Sequence, residues 1–211
     1  MEALLRDLQR RMAGEVKFDP FSKMLYSTDA SMYQIEPIGV VIPRDADDVV
    51  GAVTAASEHG VPVLPRGGGT GLAGQTVGEA LIMDASIHMH QVLELNTEEQ
   101  WAWVQPGVVQ DQLNAYLRPH GFLFGPDTST SNRATLGGMI GNNSAGARSV
   151  LYGKTIDHVL ELQVVSADGS TAHLKSLDKA ELEQKCRGTD LEAQLRLIQG
   201  LEMREIGRAH V

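Results

Sequence analysis

The chain has 211 residues, of which 42% are hydrophobic and 21% are charged, and its formal net charge is −9. These values are typical of a globular protein with one sizeable core or two smaller ones. The negative charge argues against a nucleic-acid partner, because binding to a phosphate backbone requires a basic surface. The single cysteine, Cys186, excludes an internal disulfide. No apolar run reaches the length of a membrane span, so we expect a cytoplasmic protein, free or peripheral on the cytoplasmic face of a membrane.

The order of the predicted elements divides the chain into a lead-in and two subdomains. The lead-in, residues 1–38, begins with an amphipathic helix over 2–13 and is irregular over 18–38, with breaks at Asp19-Pro20 and Glu36-Pro37. The first subdomain, residues 39–95, has a strand followed by a helix from the N-cap Asp45 to about His59. The apolar face of that helix is predicted at Ala46, Val49, Val50, Val53 and Ala56. The strands are predicted at 39–42, 61–64, 80–84 and 91–95, and the strand–helix–strand order implies a parallel pair.

The second subdomain, residues 96–211, is predicted as a larger mixed or antiparallel sheet with helices, which makes the fold class α+β. Its predicted strands are at 101–104, 158–166 and 171–174, the last two joined by a turn at Asp168-Gly169. Helices are predicted over 108–117, 178–185 and 189–201. A loop over 121–133 leads to a second glycine-rich segment at 137–146.

Five glycines fall within eight residues of the segment 65–75, directly after a predicted strand. Glycine loses more conformational freedom on folding than any other residue, and an ordinary turn needs only one or two. A backbone without side chains allows close approach, and its N–H groups suit an anion. The segment is therefore predicted to wrap a pyrophosphate.

Two familiar phosphate-binding motifs fit the sequence poorly. Gly69, Gly71 and Gly74 have the spacing of the Rossmann dinucleotide fingerprint, but the next strand begins too soon after Gly74 to leave room for the required helix. Gly153-Lys154-Thr155 has the ending of a nucleoside-triphosphate loop, but Arg148 stands where that loop needs a glycine. Both interpretations are set aside.

Several blocks in order resemble the FAD-binding domain shared by the vanillyl-alcohol-oxidase and p-cresol-methylhydroxylase flavoproteins. The resemblance covers roughly residues 39–174. Its blocks are 65–71, Pro106-Gly107, Gly125-Pro126-Asp127, 135–138, 142–146, Tyr152-Gly153 and 157–159. Within the family, the chain is most similar to the D-lactate, glycolate and D-2-hydroxyglutarate dehydrogenases. The run 129–139 most resembles the large members whose C-terminal part carries iron–sulfur ligands.

The resemblance implies a two-subdomain fold with FAD between the subdomains and an enzyme that oxidises a D-2-hydroxyacid by hydride transfer to FAD. The residues that it implies for cofactor binding are Pro65, Arg66, Gly67, Gly68, Gly69, Thr70, Gly71, Gln75, Pro106, Gly107, Pro126, Asp127, Thr130, Thr135, Gly137, Gly138, Asn142, Asn143, Ser144, Ala145, Gly146 and Val164. Some members attach flavin through a histidine in the glycine loop. No histidine or cysteine stands near Gly69 and Gly71, so we expect non-covalent FAD.

Individual roles follow from the chemistry of the cofactor. We expect Gly67 to Gly71 to supply N–H donors to the pyrophosphate, a Gly137-Gly138 turn to allow close packing, and residues 142–144 to donate to phosphate or ribityl oxygens. Two roles stay open for Asp127, which either fixes a cofactor hydroxyl or caps its own turn. Arg66 either neutralises the pyrophosphate or faces solvent. His88 and His90 have a spacing usable for a metal but are interpreted as surface residues.

The sequence contains no catalytic constellation, so we assign no catalytic residue. In the resembling dehydrogenases, a substrate-binding cap follows the FAD domain. We therefore expect an N-terminal fragment that is inactive alone, with its hydroxyacid site in the missing cap and an unknown electron acceptor. The final residues 205–211 read like a translated sequencing adapter. The alternatives are another flavin reaction on the same fold, or a non-enzymatic nucleotide-binding module.

Overall fold

The structure of the protein is a computed structural model that describes residues 1–178 and residue 181. The predicted helices beyond residue 178 and the segment 205–211 lie outside the described residues. The chain divides into a compact unit, Met1–His173, and a second unit from Leu174 onward. The architecture given below is that of the first unit, together with the last residues of its final strand.

The described part of the chain contains six α-helices, two 3-10 turns and eight strands. Their bounds are α1 Glu2–Arg11, β1 Glu15–Lys17, α2 Pro20–Tyr26, β2 Gly39–Ile42, α3 Ala46–Glu58, β3 Val63–Arg66, β4 Leu81–Asp84, β5 Val92–Asn96, β6 Trp101–Val104, α4 Gln110–Leu117, a 3-10 turn Arg118–His120, α5 Leu136–Gly141, α6 Ser149–Tyr152, a 3-10 turn Thr155–His158, β7 Glu161–Val165 and β8 Thr171–Lys175. No helix among the described residues is long and apolar enough to cross a membrane.

A four-stranded sheet in the order β1-β2-β4-β3 forms the centre of the first half of the chain. Strands β2, β4 and β3 are parallel, but β4 lies between β2 and β3, which were predicted to pair with each other; β1 adds an antiparallel edge. Every residue of β2 and β4 is buried, which is the pattern of strands covered on both faces. The register places Arg66 opposite Asp84, so the segments that follow β3 and β4 leave the same edge of the sheet.

Helices α1 and α3 cover one face of this sheet. Asp45 caps α3 as predicted, because its carboxylate accepts a hydrogen bond from Asp48 N at 3.0 Å. Part of the predicted apolar face is wrong, since Ala46 is exposed and Val50 is only half-buried, whereas half-buried Val49 packs against the core as predicted. The buried apolar residues of α3 are Ala52, Val53, Ala55 and Ala56. The small alanines let α3 pack closely against Leu4 and Leu8 of α1.

Helix α2 lies in a segment for which the sequence predicted only irregular structure. Its N-cap is Asp19, whose carboxylate accepts from Ser22 N at 2.9 Å, and Pro20 stands at the first helical position. Proline is favoured there because its missing N–H would have no partner inside the helix. The Asp-Pro pair thus starts a helix here, and Tyr26 at its end packs on the second face of the sheet.

The second half of the described chain has a core of its own. Strands β5 and β6 form an antiparallel pair, and Val108, Leu113, Leu117 and Leu136 are buried beside them. Among the described residues, β5–β6 and β7–β8 are two separate two-stranded sheets, where one larger sheet was predicted. The predicted strand over 158–166 begins only at Glu161, because Thr155–His158 closes a 3-10 turn. The subdomain boundary at residue 96 stays a prediction; that residue ends β5 before the turn into β6.

Candidate functional site

The glycine loop, residues 67–75, leaves the carboxyl end of β3 at the edge where β2 and β4 also end. No helix lies between β3 and β4, which confirms the argument against a Rossmann fingerprint. Ligands of parallel sheets bind outside the carboxyl ends of the strands. The loop is therefore at the edge where a parallel sheet offers room for a ligand.

The backbone N–H groups of residues 67–72 are without acceptors among the described residues. The next N–H, of Ala73, donates to the Gln75 side chain at 3.2 Å. Backbone N–H groups nearly always find a partner in a folded protein, so a run of open donors indicates water or a ligand. Such a run fits a pyrophosphate. The donor chemistry of the loop therefore agrees with the FAD that the sequence predicts.

Gly67 and Gly68 are needed because another segment lies directly against them. A Cβ on Gly67 would fall 2.0 Å from Thr135 Oγ1, and one on Gly68 would fall 2.3 Å from the Arg133 carbonyl oxygen. Gly69 has a φ of +62°, in the region that favours glycine. The structure thus brings together the first glycine segment and the start of the second, which stand far apart in the sequence.

The predicted Gly137-Gly138 turn is wrong, because both glycines lie inside helix α5. Thr135 caps this helix and accepts from Gly138 N at 3.4 Å. The buried side chains of Leu136 and Met139 anchor it. The predicted close packing is present, since the Gly137 N–H donates to Pro106 O at 2.8 Å and a Cβ on Gly137 would lie 2.8 Å from Pro106 Cβ.

Pro106 and Gly107 join the second glycine segment to the edge of the sheet. Gly107 is buried, and its N–H donates to Met89 O at 2.8 Å. A Cβ on Gly107 would lie 2.4 Å from the carbonyl oxygen of Ala85, which follows β4 directly. Because Gly137 packs on Pro106, the two positions together connect α5 with the end of β4.

Residues 142–144 follow α5 and lie beside the glycine loop. Gln75 Nε2 donates to Asn142 Oδ1 at 3.1 Å, which links the two glycine segments a second time. Asn143 Oδ1 accepts from Ile156 N at 3.1 Å, and buried Thr155 donates from both its N–H and its hydroxyl to Ser144 O. The two asparagine carbonyls are thus used within the protein. Donation to the cofactor from Asn142, Asn143 and Ser144 stays a prediction.

Asp127 reaches the end of the second glycine segment. Its carboxylate accepts from Arg148 N at 2.9 Å, and its Oδ2 lies 3.5 Å from Arg148 Nε. Among the described residues, the hydrogen bonds of this carboxylate thus go to Arg148 and none caps its own turn. A Cβ on Gly146 would fall 1.3 Å from the Asp127 carbonyl oxygen, so the two backbones touch. A contact between Asp127 and a cofactor hydroxyl stays a prediction.

Arg66 is half-buried and its guanidinium is engaged by the protein. It donates to Tyr26 O at 3.1 Å and to Thr28 O at 2.8 Å, and its Cζ lies 5.2 Å from the centre of the Tyr26 ring. The expectation of a solvent-facing arginine is therefore wrong. Direct neutralisation of a pyrophosphate by Arg66 stays a prediction.

The remaining predicted cofactor residues occupy different surroundings. Thr130 O accepts from the N–H groups of Arg133 and Ala134, which shapes the turn that faces Gly68. Ala145 is exposed next to Gly146, and Thr70 is half-buried in the glycine loop. Val164 is half-buried in β7, whose neighbouring Val165 packs against the core formed with α3. Cofactor contacts of these residues stay predictions.

Two buried side chains that the sequence interpretation missed support the site. Gln110 is 2% exposed; its amide donates to Pro126 O and accepts from Thr128 Oγ1 at 2.8 Å, which fixes the loop around Asp127. Thr155, fully buried, holds Ser144. A lone glutamine at a helix start is too common for Gln110 to be recognised from the sequence.

A third missed group lies under the glycine loop. Tyr26 OH donates to Asp84 Oδ2 at 2.6 Å, and Asp84 is 5% exposed. Burial, and then the hydrogen bond to Asp84, raise the pKa of Tyr26 well above its ordinary value. The signal for this pair was the helix start at Asp19-Pro20, since recognition of α2 would have placed Tyr26 at its end.

His88 Nε2 lies 3.3 Å from Glu15 Oε1. No cluster of three or more histidine, cysteine, aspartate or glutamate side chains suited to a metal occurs in the part of the chain that the structure describes.

Similar proteins of known sequence are much longer than this chain. It is 48% identical over 176 residues to a D-2-hydroxyglutarate dehydrogenase of Pseudomonas putida, which covers 82% of the chain and 18% of that protein. It is 44% identical over 164 residues to the Escherichia coli protein of the same description, covering 76% and 16%. Glycolate oxidase subunit GlcD of Bacillus subtilis is 39% identical over 163 residues, covering 75% and 35%. The chain thus spans less than a fifth of the length of the two dehydrogenases.

Solved structures confirm the fold. An alkyldihydroxyacetonephosphate synthase superposes with a TM-score of 0.76 at 22% identity, over 86% of this chain and 36% of that one. A p-cresol methylhydroxylase superposes with a TM-score of 0.68 at 18% identity, over 82% and 35%. The predicted α+β fold of the p-cresol-methylhydroxylase type is thereby confirmed. The profile of one family, described as the FAD binding domain, matches residues 37–175. The chain belongs to the FAD binding domain family, and FAD is its cofactor.

Proposed function

We propose that this chain is the FAD-binding part of a flavin-dependent dehydrogenase that oxidises a D-2-hydroxyacid. The observation that carries the proposal is the run of open N–H donors over residues 67–72, which begins with Gly67 against Thr135 and Gly68 against Arg133, where a Cβ would overlap its neighbour. Bound FAD supplies the acceptor for the hydride that leaves the substrate carbon. The residues of this chain bind the cofactor and orient it.

The likeness to longer enzymes supports the substrate class. The relatives from Pseudomonas putida and Escherichia coli are described as D-2-hydroxyglutarate dehydrogenases, and the one from Bacillus subtilis as a glycolate oxidase subunit. All three descriptions name 2-hydroxyacids. The fold alone does not choose the reaction, because the same fold serves an alkyldihydroxyacetonephosphate synthase and a p-cresol methylhydroxylase. We therefore propose D-2-hydroxyglutarate as the first substrate to test, with D-lactate and glycolate next.

The site supports non-covalent binding. The members of the family that attach flavin through the glycine loop do so at a histidine, and residues 67–75 contain no histidine or cysteine. In the proposed arrangement, the glycine loop holds the pyrophosphate and residues 142–146 cover a second side of the cofactor, with FAD between the subdomains 39–95 and 96–211. The rest of the full-length protein supplies the substrate-binding cap and the contact with the electron acceptor, in a cytoplasmic enzyme.

Three measurements test the proposal. Heating the purified protein should release a yellow compound that chromatography identifies as FAD; release of a different nucleotide would favour a non-enzymatic binding module. Colour that stays with acid-precipitated protein would contradict non-covalent attachment. The full-length protein should then reduce a dye acceptor with D-2-hydroxyglutarate and fail with the L-enantiomer. Reduction with an alcohol or a phenol, and none with any 2-hydroxyacid, would assign a different flavin reaction on this fold.

A further inference from the structure

We infer that residues 26–33, named here the clamp segment, form part of the cofactor site by fixing the glycine loop, and that Arg66 is a positioning residue for that loop. The inference rests on the proposed function, since it concerns how the loop is prepared for FAD. The region that matches the family begins only at residue 37, so the clamp segment lies before it. It nevertheless contacts the glycine loop and the two residues that flank it, Arg66 and Thr76.

Arg66 connects the base of the glycine loop to the clamp segment. Its guanidinium donates to the carbonyl oxygens of Tyr26 and Thr28 at 3.1 and 2.8 Å and to Thr76 O at 3.5 Å. The planar guanidinium also lies over the Tyr26 ring, at 5.2 Å from its centre. Because a lysine ammonium cannot hold these carbonyls in one plane, the arrangement is specific to arginine.

A backbone hydrogen bond fixes the middle of the loop. Ala30 N donates to Gly69 O at 3.0 Å. The carbonyl and the following N–H point in opposite directions across a trans peptide, so this bond directs the Thr70 N–H away from the clamp segment. The hydrogen bond from Ala30 therefore orients the Thr70 N–H, one of the open donors of residues 67–72. Such pre-orientation lowers the entropy lost when a ligand binds.

The far end of the loop is held in the same way. Thr76 Oγ1 donates to Asp29 Oδ2 at 2.8 Å, and Asp29 Oδ1 accepts from Ser31 N at 2.8 Å. A Cβ on Gly74 would fall 2.5 Å from Tyr33 Cδ2, so the Tyr33 ring lies on the loop backbone. The clamp segment therefore contacts the beginning, the middle and the end of the glycine loop.

Substitution of Arg66 separates a positioning role from an ion pair with the pyrophosphate. Arg66→Lys keeps the charge and Arg66→Gln removes it. If Arg66 positions the loop, both variants bind FAD about tenfold more weakly, the loss expected when one or two such hydrogen bonds are removed. The salt dependence of the FAD dissociation constant stays that of the unsubstituted protein. Arg6→Lys, on the exposed side of α1, is the matched control and should bind FAD normally.

A charge contact would give a different result. Arg66→Lys would then bind FAD nearly as well as the unsubstituted protein, while Arg66→Gln would bind weakly and lose salt dependence, because screening acts on charge–charge attraction. That pair of results would overturn the inference.

Thr76 gives a test in which no charge changes. Thr76→Val removes the hydroxyl that bonds Asp29 and keeps the side-chain shape, and Thr76→Ser restores the hydroxyl. We expect FAD binding about fivefold weaker in the valine variant, as for one lost hydrogen bond, and near-normal binding in the serine variant. Equal binding by all three proteins would contradict a role for the clamp segment.

A measurement without FAD distinguishes failure of this inference from failure of the proposed function. The Ala30 amide should exchange with solvent about tenfold faster in Arg66→Lys and Thr76→Val than in the unsubstituted protein, because the hydrogen bond to Gly69 opens more often. An unchanged exchange rate of the Ala30 amide in both variants would overturn the inference about the clamp segment. Unsubstituted protein that binds no FAD would instead overturn the proposed function, whatever the exchange shows.

Discussion

The hydroxyl of Thr135 occupies the position that a side chain on Gly67 would need, since a Cβ on Gly67 would fall 2.0 Å from Thr135 Oγ1. The same hydroxyl caps α5 through Gly138 N. One threonine therefore places the two glycine segments against each other and starts the helix that carries the second one.

Gly67→Ala should weaken FAD binding by at least about tenfold, because overpacking of this contact costs roughly 1–3 kcal/mol and displaces the N–H donors. A fluorescence titration with FAD measures the effect. Gly78→Ala is the matched control, since its Cβ would meet only Leu64 Cδ2, at 3.4 Å. The double variant Gly67→Ala with Thr135→Ala should recover part of the affinity. No recovery, or an equal loss in the control, would show that the contact is not the cause.

Gly146→Ala should destabilise the fold by roughly 2–3 kcal/mol, because backbone atoms of Asp127 must move and its bonds to Arg148 are lost. A Cβ on Gly146 would fall 1.3 Å from Asp127 O, and no side chain can relieve that overlap. Urea unfolding gives the free energy of unfolding. Gly141→Ala serves as control, since nothing lies within 4 Å of its Cβ. Similar midpoints for the two variants would contradict the close approach.

Asp7→Asn should lower the free energy of unfolding at neutral pH, because buried Asp7 fixes Arg11, which also pairs with Glu58 of α3. Its carboxylate accepts from Arg10 and Arg11, and His59 Nε2 lies 3.5 Å away. The hydrogen bond from Arg11, the largest cause, lowers the pKa of Asp7 from its ordinary 3.8. A lowered pKa in the folded state gives stability that is present above the unfolded-state pKa and is lost as the pH falls through the folded-state pKa.

The difference between Asp7→Asn and the unsubstituted protein should therefore be constant at neutral pH and shrink below about pH 4. Urea midpoints at several pH values measure it. Glu2→Gln, on the exposed side of the same helix, should differ little from the unsubstituted protein at any pH. A difference for Asp7→Asn that persists unchanged at the lowest pH would exclude the charge as its source.

Tyr26 should make the protein sensitive to alkali. Its pKa is raised by burial and then by the hydrogen bond to Asp84, so its protonated form is favoured in the folded state. That stability is complete below the unfolded-state pKa of about 10 and declines as the pH rises toward the folded-state value. The slope is at most about 1.4 kcal/mol per pH unit, the value for a single proton that the folded state holds and the unfolded state has lost.

Tyr26→Phe should remove this component of the decline. Thermal unfolding between pH 9 and pH 11 of the two proteins gives the comparison, and the variant should lose less stability over that range even if it is less stable at pH 8. Parallel curves for the two proteins would show that the phenol does not titrate with unfolding.

Local signals were sufficient for part of the fold. The run of β-branched residues in β2, the Asp45 cap and the strand β6 were predicted at or near their observed bounds. Helices α2 and α5 were missed because the residues that begin or form them also occur in turns. Asp19-Pro20 starts a helix as readily as it ends one, and Gly137-Gly138 is helical only because Leu136 and Met139 are buried below it. Tertiary packing outweighs glycine's low helix propensity there.

The candidate site was predictable as a set of residues but not as an arrangement. Glycines mark the places of close backbone approach, so the segments at 67–71 and 137–146 could be recognised. Their packing partners could not be assigned: Thr135 and Asp127 were expected at the cofactor and not against Gly67 and Gly146, and Tyr26 was not expected at the site at all. The hydrogen bonds of Arg66 to backbone carbonyls could not be predicted either. A positive charge beside a predicted phosphate site suggests a direct ion pair instead.

Amide resonances of selectively labelled ¹⁵N-glycine give the most direct test of the central claim, that the open N–H groups of the glycine loop hold the pyrophosphate of FAD. On titration with FAD, the amides of Gly67, Gly68, Gly69 and Gly71 should move downfield with one common dissociation constant, as new charge-assisted hydrogen bonds form. Those of Gly60 and Gly121, which have open space around them, should stay in place. Saturation with FAD that leaves the four loop amides unmoved, or no binding at all, would contradict the claim.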